Sequence, residues 1–420
     1  MKRLIYTLIL ISIFLPSQLY AVPHKQINKN KQSSYNKKHR TSNKKNSYRK
    51  KPVPYICPID RLETVLTKGV QYIRIRKRIN RGPINIHVLK INLTVPGICI
   101  EPALANNKVG ELASIKKIVD QNNALAAVNG SFFNPFPTFP IGRMIRNGNS
   151  LFKEDNLFQR SVFGINYNNE AFIQIPYVKD SVIIDNDVTK KFFIMGINRE
   201  RKTDDIILFT PEYGSSTRSN NSGDEVVVEN NKAICILKNQ GNTPIPKSGY
   251  VLSFHGMAAK YTNLITPGST IKTQLDEDTK WLNVKQAISG GPRLLKNGIN
   301  VVHPHFNLEN FNEAFRIPRA RTAVGINSFG EVIFVVIEKT KHSTGVTFTE
   351  LALIMKDLEA VDAMALDGGS SSSMYISTGY HSPIGTKSLP SINNALLIIK
   401  TINTVTIDNS GKSFAEKKQL

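Results

Sequence analysis

The chain has 420 residues, 40% of them hydrophobic, and a formal charge of +23. That length and apolar content fit one large or two medium domains with a substantial core, and exclude a wholly disordered chain. The charge resembles that of a nucleic-acid binder, but residues 1–59 hold 13 Lys/Arg and no Asp or Glu; more than half of the excess lies there, which argues against a nucleic-acid partner.

The N-terminus reads as an export signal over residues 1–21. Lys2 and Arg3 form the charged start, Leu4 to Leu15 an apolar run, and Leu19-Tyr20-Ala21 a cleavage site with small Ala last. The alternative is an uncleaved anchor, although the run is shorter than the ~20 residues that span a bilayer. Residues 22–54 are rich in Lys, Asn, Ser and His and nearly lack large apolar side chains. They are expected to form a disordered polybasic tether. Two readings stand for it: a solvated spacer, or a contact with an anionic envelope polymer or lipid headgroups. Three cysteines (Cys57, Cys99, Cys235) make no disulfide framework; Cys57 and Cys99 could pair, and buried free thiols are the preferred reading. No metal-site spacing is visible, and no cofactor is expected.

The catalytic body is expected over 55–407, with a polar tail over 408–420. Ile84 to Ile91 alternates as a strand, and Gly110 to Asn122 places Leu112, Ile115, Ile118 and Val119 at helical spacing. Ala124 to Val128 is a short buried strand ending in Asn129-Gly130-Ser131. The order recurs later. Val332 to Ile337 is a buried strand, Thr347-Phe348-Thr349-Glu350 a capping box opening a helix to about Ala360, and Ala363 to Leu366 a strand ending in Asp367-Gly368-Gly369. A second repeat supports this. Arg146-Asn147-Gly148 precedes Arg160-Ser161-Val162-Phe163-Gly164-Ile165-Asn166, as Lys296-Asn297-Gly298 precedes Arg321-Thr322-Ala323-Val324-Gly325-Ile326-Asn327. In each, an Asn-Gly hairpin turn leads to an Arg-led strand with Gly at one offset. The expected fold is α+β: β-rich mixed sheets, a few packed helices, and two structurally similar halves.

Three polar turns each follow a short apolar run: Asn129-Gly130-Ser131-Phe132-Phe133-Asn134, Ser289-Gly290-Gly291-Pro292, and Asp367-Gly368-Gly369-Ser370-Ser371-Ser372-Ser373. Strand ends converging on one rim make a common site architecture. Glycines let backbone N–H groups approach an anion, and serine hydroxyls add donors for phosphate or sugar oxygens. One of Phe132 and Phe133 should stack on a sugar while the other joins the core. His303 and His305, flanking a proline, read as solvated loop histidines.

Asn-Gly-Xaa-Phe-Phe, Ser-Gly-Gly-Pro-Xaa-Leu, Arg-Thr-Ala-Xaa-Gly, Glu-Leu-Ala and Leu-Asp-Gly-Gly, in this order, resemble the phosphodiester glycosidase family over roughly 84–400. Ser131 and Ser370 stand where that family usually has glycine, and Glu338-Lys339-Thr340 where an Asp-Gly-Arg turn is common. The resemblance implies an exported hydrolase, secreted or held at the bacterial cell envelope, acting on a sugar-1-phosphodiester in an envelope or extracellular glycan such as an exopolysaccharide. Cleavage at an anomeric phosphate develops positive charge on the sugar and negative charge on the departing phosphate. The first needs a carboxylate; the second needs cations and N–H donors. Asp367 is the first candidate carboxylate and Glu101 a distant second. Arg321, with its bidentate fork, suits the phosphate, and Arg160 holds the matching place in the other half. Asn129, Gly130, Phe132, Phe133, Ser289, Gly290, Gly291, Thr322, Gly368, Gly369, Ser370, Ser371 and Ser372 would line the substrate. Two other readings remain: a non-catalytic glycan-binding envelope protein, and a metal-assisted phosphodiesterase cleaving P–O.

Overall fold

The structure is a computed structural model that describes residues 60–407 and 413–419, apart from 155–158, 178, 277–280, 282, 313–315 and 378–389. The export signal over 1–21, the tether over 22–54 and Cys57 lie outside the described residues. Cys99 and Cys235 are free thiols, both partly exposed rather than buried.

Three sheets carry the body. An eight-stranded sheet has at its centre Gly82–Ile91, Val332–Ile337, Arg321–Asn327, Ala360–Ala365 and Arg293–Lys296, in that spatial order. A ten-stranded sheet contains Ala171–Gln174, Val162–Asn166, Val284–Ser289, Arg143–Arg146 and Asn149–Lys153 as consecutive neighbours. A smaller sheet places Ala126–Asn129 between Met374–Ile376 and Asn394–Ile407. Alternation along these strands turns one apolar face of each sheet toward a shared core. The first sheet contributes Leu89, Val324, Phe334 and Met364, the second Met144, Phe163 and Ile288, the third Val128, Met374 and Leu396. The outer face of the eight-stranded sheet is covered by the helices Val302–Leu308 and Phe348–Asp357, and that of the smaller sheet by the helix Ile115–Gln121.

The two halves are visible down to side chains. Asn147-Gly148 and Asn297-Gly298 close hairpins with φ of 51° and 78° in one and 50° and 75° in the other, the pair of positive values that a two-residue turn of this hand requires. Asn166 accepts from the N–H groups of Asn168 and Glu170 and donates to the Glu170 carboxylate. Asn327 does the same with Phe329 and Glu331. Gly164 and Gly325 sit where a Cβ would strike the Phe172 ring at 2.4 Å and the Met355 methyl at 2.5 Å.

The strands also succeed one another in a cycle. Ala126–Asn129 leaves the smaller sheet and leads to Arg143–Arg146, beside Val284–Ser289 in the ten-stranded sheet. Val284–Ser289 leads to Arg293–Lys296, beside Ala360–Ala365 in the eight-stranded sheet. Ala360–Ala365 leads to Met374–Ile376, beside Ala126–Asn129. Each polar turn is therefore a crossing between two sheets, and the three crossings meet.

Several local expectations shift. The capping box is formed, Thr347 accepting from the Glu350 N–H while the Glu350 carboxylate takes the Thr347 N–H, but the helix stops at Asp357. The first helix begins at Ile115 because Ser114 caps it through the Lys117 N–H; Leu112 lies outside it and is exposed. His305 is half-buried on the helix Val302–Leu308 and bonds Glu309, while His303 is exposed; Pro304 is tolerated in the first turn. The polar tail carries the strand Ser413–Gln419, paired with Thr401–Ile407, whose Thr/Val/Ile-rich sequence favours an extended partner.

Candidate active site

The crossings are tied by backbone and by one buried amide. Asn129, 1% exposed, donates through Nδ2 to the Asp367 carbonyl at 2.7 Å. Its Oδ1 accepts from the Thr322 hydroxyl at 2.7 Å and the Ser373 N–H at 3.0 Å. Three of its four side-chain bonding positions are spent on holding other site elements in register. Gly130 accepts from the Asp367 N–H and donates to the Asn394 carbonyl; a Cβ there would meet Asn394 Oδ1 at 2.2 Å. Ser131 exchanges two bonds with the Asn394 amide, one of them through its hydroxyl, a tie that glycine would lack.

The second crossing is a structural joint. The Ser289 hydroxyl accepts the Arg143 N–H at 2.7 Å. Gly290 donates to Ser161 and Gly291 to Ala365. Beneath them lies Glu309, 0% exposed, which accepts from the Ser161 N–H and hydroxyl, the Arg293 N–H and His305 Nδ1. Sequence reading missed Glu309; nothing about a lone Glu after a short helix marks it.

The third crossing holds a carboxyl at the margin of the core. Asp367 is partly exposed, and its Oδ1 accepts the Gly368 N–H at 2.8 Å. Burial pushes its pKa up from 3.8 to about 6, against the opposing pull of the Ser371 hydroxyl, the Gly368 N–H and the Arg321 charge. Gly369, at φ 66°, donates to Ala320. Ser371 and Ser372 are buried, Ser370 is exposed, and among the described residues the Ser372 hydroxyl lacks a hydrogen-bond partner.

Arg321 is 2% exposed. Its Nε donates to the Val346 carbonyl and Nη2 to that of Ile317, and its guanidinium lies 3.8 Å over the Phe348 ring. Burial, with Arg319 nearby, pulls its pKa down to about 10, while Asp367 acts in the opposite sense. Much of its fork is thus spent on backbone. The exposed cations are instead Arg319 and Lys339, which line a cavity of about 440 Å³ with Ile317, Ala320, Gly369 and Ser370. Sequence reading missed Arg319; its place two residues before Arg321, on the chain entering the strand, is the one local signal for it. Lys339 sits in the Glu338-Lys339-Thr340 segment, where Glu338 turns inward to Asn85 and His87; Lys339 lines the cavity with its Nζ donating to the Pro318 carbonyl at 2.8 Å, which leaves two of its three donors.

The other candidates divide. Phe132 is buried against Phe311, ring centroids 5.6 Å apart, so it is the core member; Phe133 is partly exposed. Arg160 lies 4.4 Å over Phe311 and 5.6 Å from Phe132. Its Nε and Nη1 are buried without a hydrogen-bond partner among the described residues, and burial lowers its pKa. Glu101 stands apart: its partners are Arg146, at 3.0 Å, and Cys99, and no hydrogen bond joins it to the Asp367 turn among the described residues. Asp367, Arg321, Asn129, Gly130, Thr322 and the serine run are brought together; Glu101 is not.

Residues 218–399 match a family model described as phosphodiester glycosidase. No curated protein matches the chain convincingly. Among solved structures, a hypothetical protein from Synechocystis is 22% identical with a TM-score of 0.67, covering 81% of this chain and 64% of its own. This chain thus spans less than two thirds of that protein. A Burkholderia pseudomallei structure named "Putative exported protein" is 20% identical with a TM-score of 0.59, covering 75% and 74%. The catalytic domain of zebrafish N-acetylglucosamine-1-phosphodiester alpha-N-acetylglucosaminidase, at 14% identity and a TM-score of 0.44 over 82% and 85%, is too distant to inform the chemistry. The first two share the fold. Over residues 218–399, which contain Arg321 and Asp367, the chain carries the sequence pattern of the phosphodiester glycosidase family.

Proposed function

We propose that the chain is an exported hydrolase that cleaves a sugar-1-phosphodiester, with Asp367 facing the anomeric carbon and Arg319 and Lys339 facing the phosphate. The observation that carries this reading is the juxtaposition at the third crossing: a carboxyl titrating near pH 6, beside a cavity whose charged lining is Arg319 and Lys339. At neutral pH the carboxyl is mostly ionised and stabilises positive charge developing on the sugar. The two cations and the Ser370 hydroxyl stabilise the charge developing on the departing phosphate. Arg321 braces the chain that carries Arg319, and Asn129 fixes the Asp367 backbone; both are positioning residues.

Export is supported by the N-terminal signal pattern and by the name of the Burkholderia structure. Among the described residues no helix is long and apolar enough to cross a membrane. Substrate in the envelope or outside it follows from export. Hydrolysis of glycosyl-1-phosphodiesters in oxygen-18 water tests the reaction. Label recovered on the sugar's anomeric oxygen is expected; label on the phosphate would transfer the chemistry to P–O cleavage, and absence of turnover across a sugar panel would leave a glycan binder.

A further inference from the structure

A second cavity, of about 660 Å³, lies against the segment that follows Asn129-Gly130-Ser131. Its charged lining is Lys108, Glu111, Glu200, Arg201 and Arg218, and its aromatic lining Phe136, Phe139 and Tyr213. Most of the charges are committed. Lys108 donates to the Pro211 carbonyl, Glu111 accepts from Asn106, and Arg201 donates to Asn220 and Ser253. Arg218 and Glu200 are not: neither side chain has a hydrogen bond or ion pair among the described residues.

Arg218 is nonetheless held in place. Its backbone is left-handed at φ 52°, which costs a non-glycine residue on the order of 1 kcal/mol. Its guanidinium lies 5.2 Å over the Tyr213 ring and passes so close to Gly214 that a Cβ there would stand 2.6 Å from one of its nitrogens. A strained, stacked guanidinium with no protein partner is pre-organised for an anion. Across the cavity lining, Phe136 is 91% exposed and offers a flat apolar face. Glu200 offers acceptors for paired hydroxyls.

We infer that this cavity is a binding site for an acidic saccharide: its carboxylate or phosphate on Arg218, its hydroxyls on Glu200, and a sugar face on Phe136. A volume of this size falls in the range of small-ligand sites. The cavity is linked to the Asn129-Gly130-Ser131 crossing through Asn393, whose amide donates to the Glu111 and Thr138 carbonyls and whose neighbour Asn394 holds Ser131. The inference does not depend on hydrolysis, because its readout is binding.

Titration calorimetry on the full chain would use tetragalacturonate, glucose 1-phosphate, neutral cellotetraose and inorganic phosphate. An acidic sugar should bind at least tenfold more tightly than cellotetraose, and the tighter of the first two identifies the anion as carboxylate or phosphate. Arg218→Gly suits a positive φ, so it should keep or raise the melting temperature while weakening the acidic sugar tenfold or more; Arg218→Asn, which also tolerates that backbone, should repeat the loss. Phe136→Ala should weaken binding several-fold. Equal binding by wild type and Arg218→Gly, equal binding of acidic and neutral sugars, binding of inorganic phosphate as tight as that of either sugar, or no binding at all would each overturn the inference.

Discussion

Gly291 and Asp367 occupy the same place in the two halves. Ser289 pairs with Val162 as Ala365 pairs with Ala323, and the next N–H groups, of Gly290 and Leu366, donate to Ser161 and Thr322. One residue further stand Gly291 and Asp367. At the first, a Cβ would meet Glu309 Oε2 at 2.1 Å, so a carboxylate from another element fills the space that a side chain would take. At the second, the chain supplies its own carboxylate. The difference lies in saturation. Glu309 is enclosed and takes bonds from Ser161, Arg293 and His305, so its charge is consumed in holding the joint. Asp367 stays partly exposed, with its pKa raised. The same backbone position carries a rivet in one half and, under the function proposed above, the reactive carboxyl in the other.

The sharpest way to break this comparison is to neutralise the less saturated member. Asp367→Asn should lower kcat by about 10²–10⁴-fold, measured by phosphate-monoester release. A carboxyl with a raised pKa binds protons more tightly folded than unfolded, so its burial lowers stability as pH rises from about 4 to about 6. Asp367→Asn should therefore melt at or above the wild-type temperature at pH 7.5 and show no such gain at pH 4. The wild-type kcat/KM should fall on the acid side with an apparent pKa near 6, and a flat profile from pH 5 to 8 would remove Asp367 as the titrating group.

The enclosed member should respond in the opposite way. Glu309→Gln turns an NH2 group toward Ser161 or Arg293 donors and strips a paired charge, at a cost of about 2–4 kcal/mol. Urea melts should show that loss. Gly291→Ala adds a clash to a φ of 112° and should be similarly damaging. Gly369→Ala, with its nearest contact at 3.8 Å, should cost only about 1 kcal/mol, for its positive φ. Equal losses at the two glycines would erase the distinction between rivet and reactive turn.

Much of this was legible in the sequence because it rests on local chemistry. Asn-Gly turns, the Thr347–Glu350 box, the Arg-led strands and the Asp-Gly-Gly ending each specify backbone within a few residues, and the structure has them. Asn129 and Asp367 were singled out by the same turns, and the structure brings them together. What the sequence hid depends on pairing across the fold. The two Gly-Gly pairs would match Ser289 to Asp367, whereas strand register sets Gly291 there, and register is known only once strands pair. Glu309 acquires meaning from Ser161, 148 residues away. Glu101 looked available because nothing local reveals Arg146 beside it. Arg319 was passed over for Arg321, since burial rather than residue type decides which arginine keeps free donors.

The smallest expected effects separate Arg160 from Arg321, the matching arginines that precede the two equivalent positions. Arg321→Met leaves the Ile317 carbonyl without its donor and takes one of two from the Val346 carbonyl, which keeps the Arg319 N–H; the loss should cost about 2 kcal/mol. Arg160→Met removes a guanidinium whose Nε and Nη1 already lack hydrogen-bond partners among the described residues, and a Met side chain can replace the contact with Phe311 and Phe132. The lost attraction to Glu309 and Glu154 roughly offsets the relief of desolvation, so stability should stay within about 1 kcal/mol. If the unpartnered donors serve the substrate, KM should rise about fivefold in Arg160→Met with kcat nearly unchanged, the mark of lost uniform binding. Arg321→Met should instead lower kcat in step with its stability loss, because Arg319 and the Asp367 turn shift together when their brace is gone. An unchanged KM in Arg160→Met would make Arg160 a packing residue and leave the phosphate contact to Arg319 and Lys339.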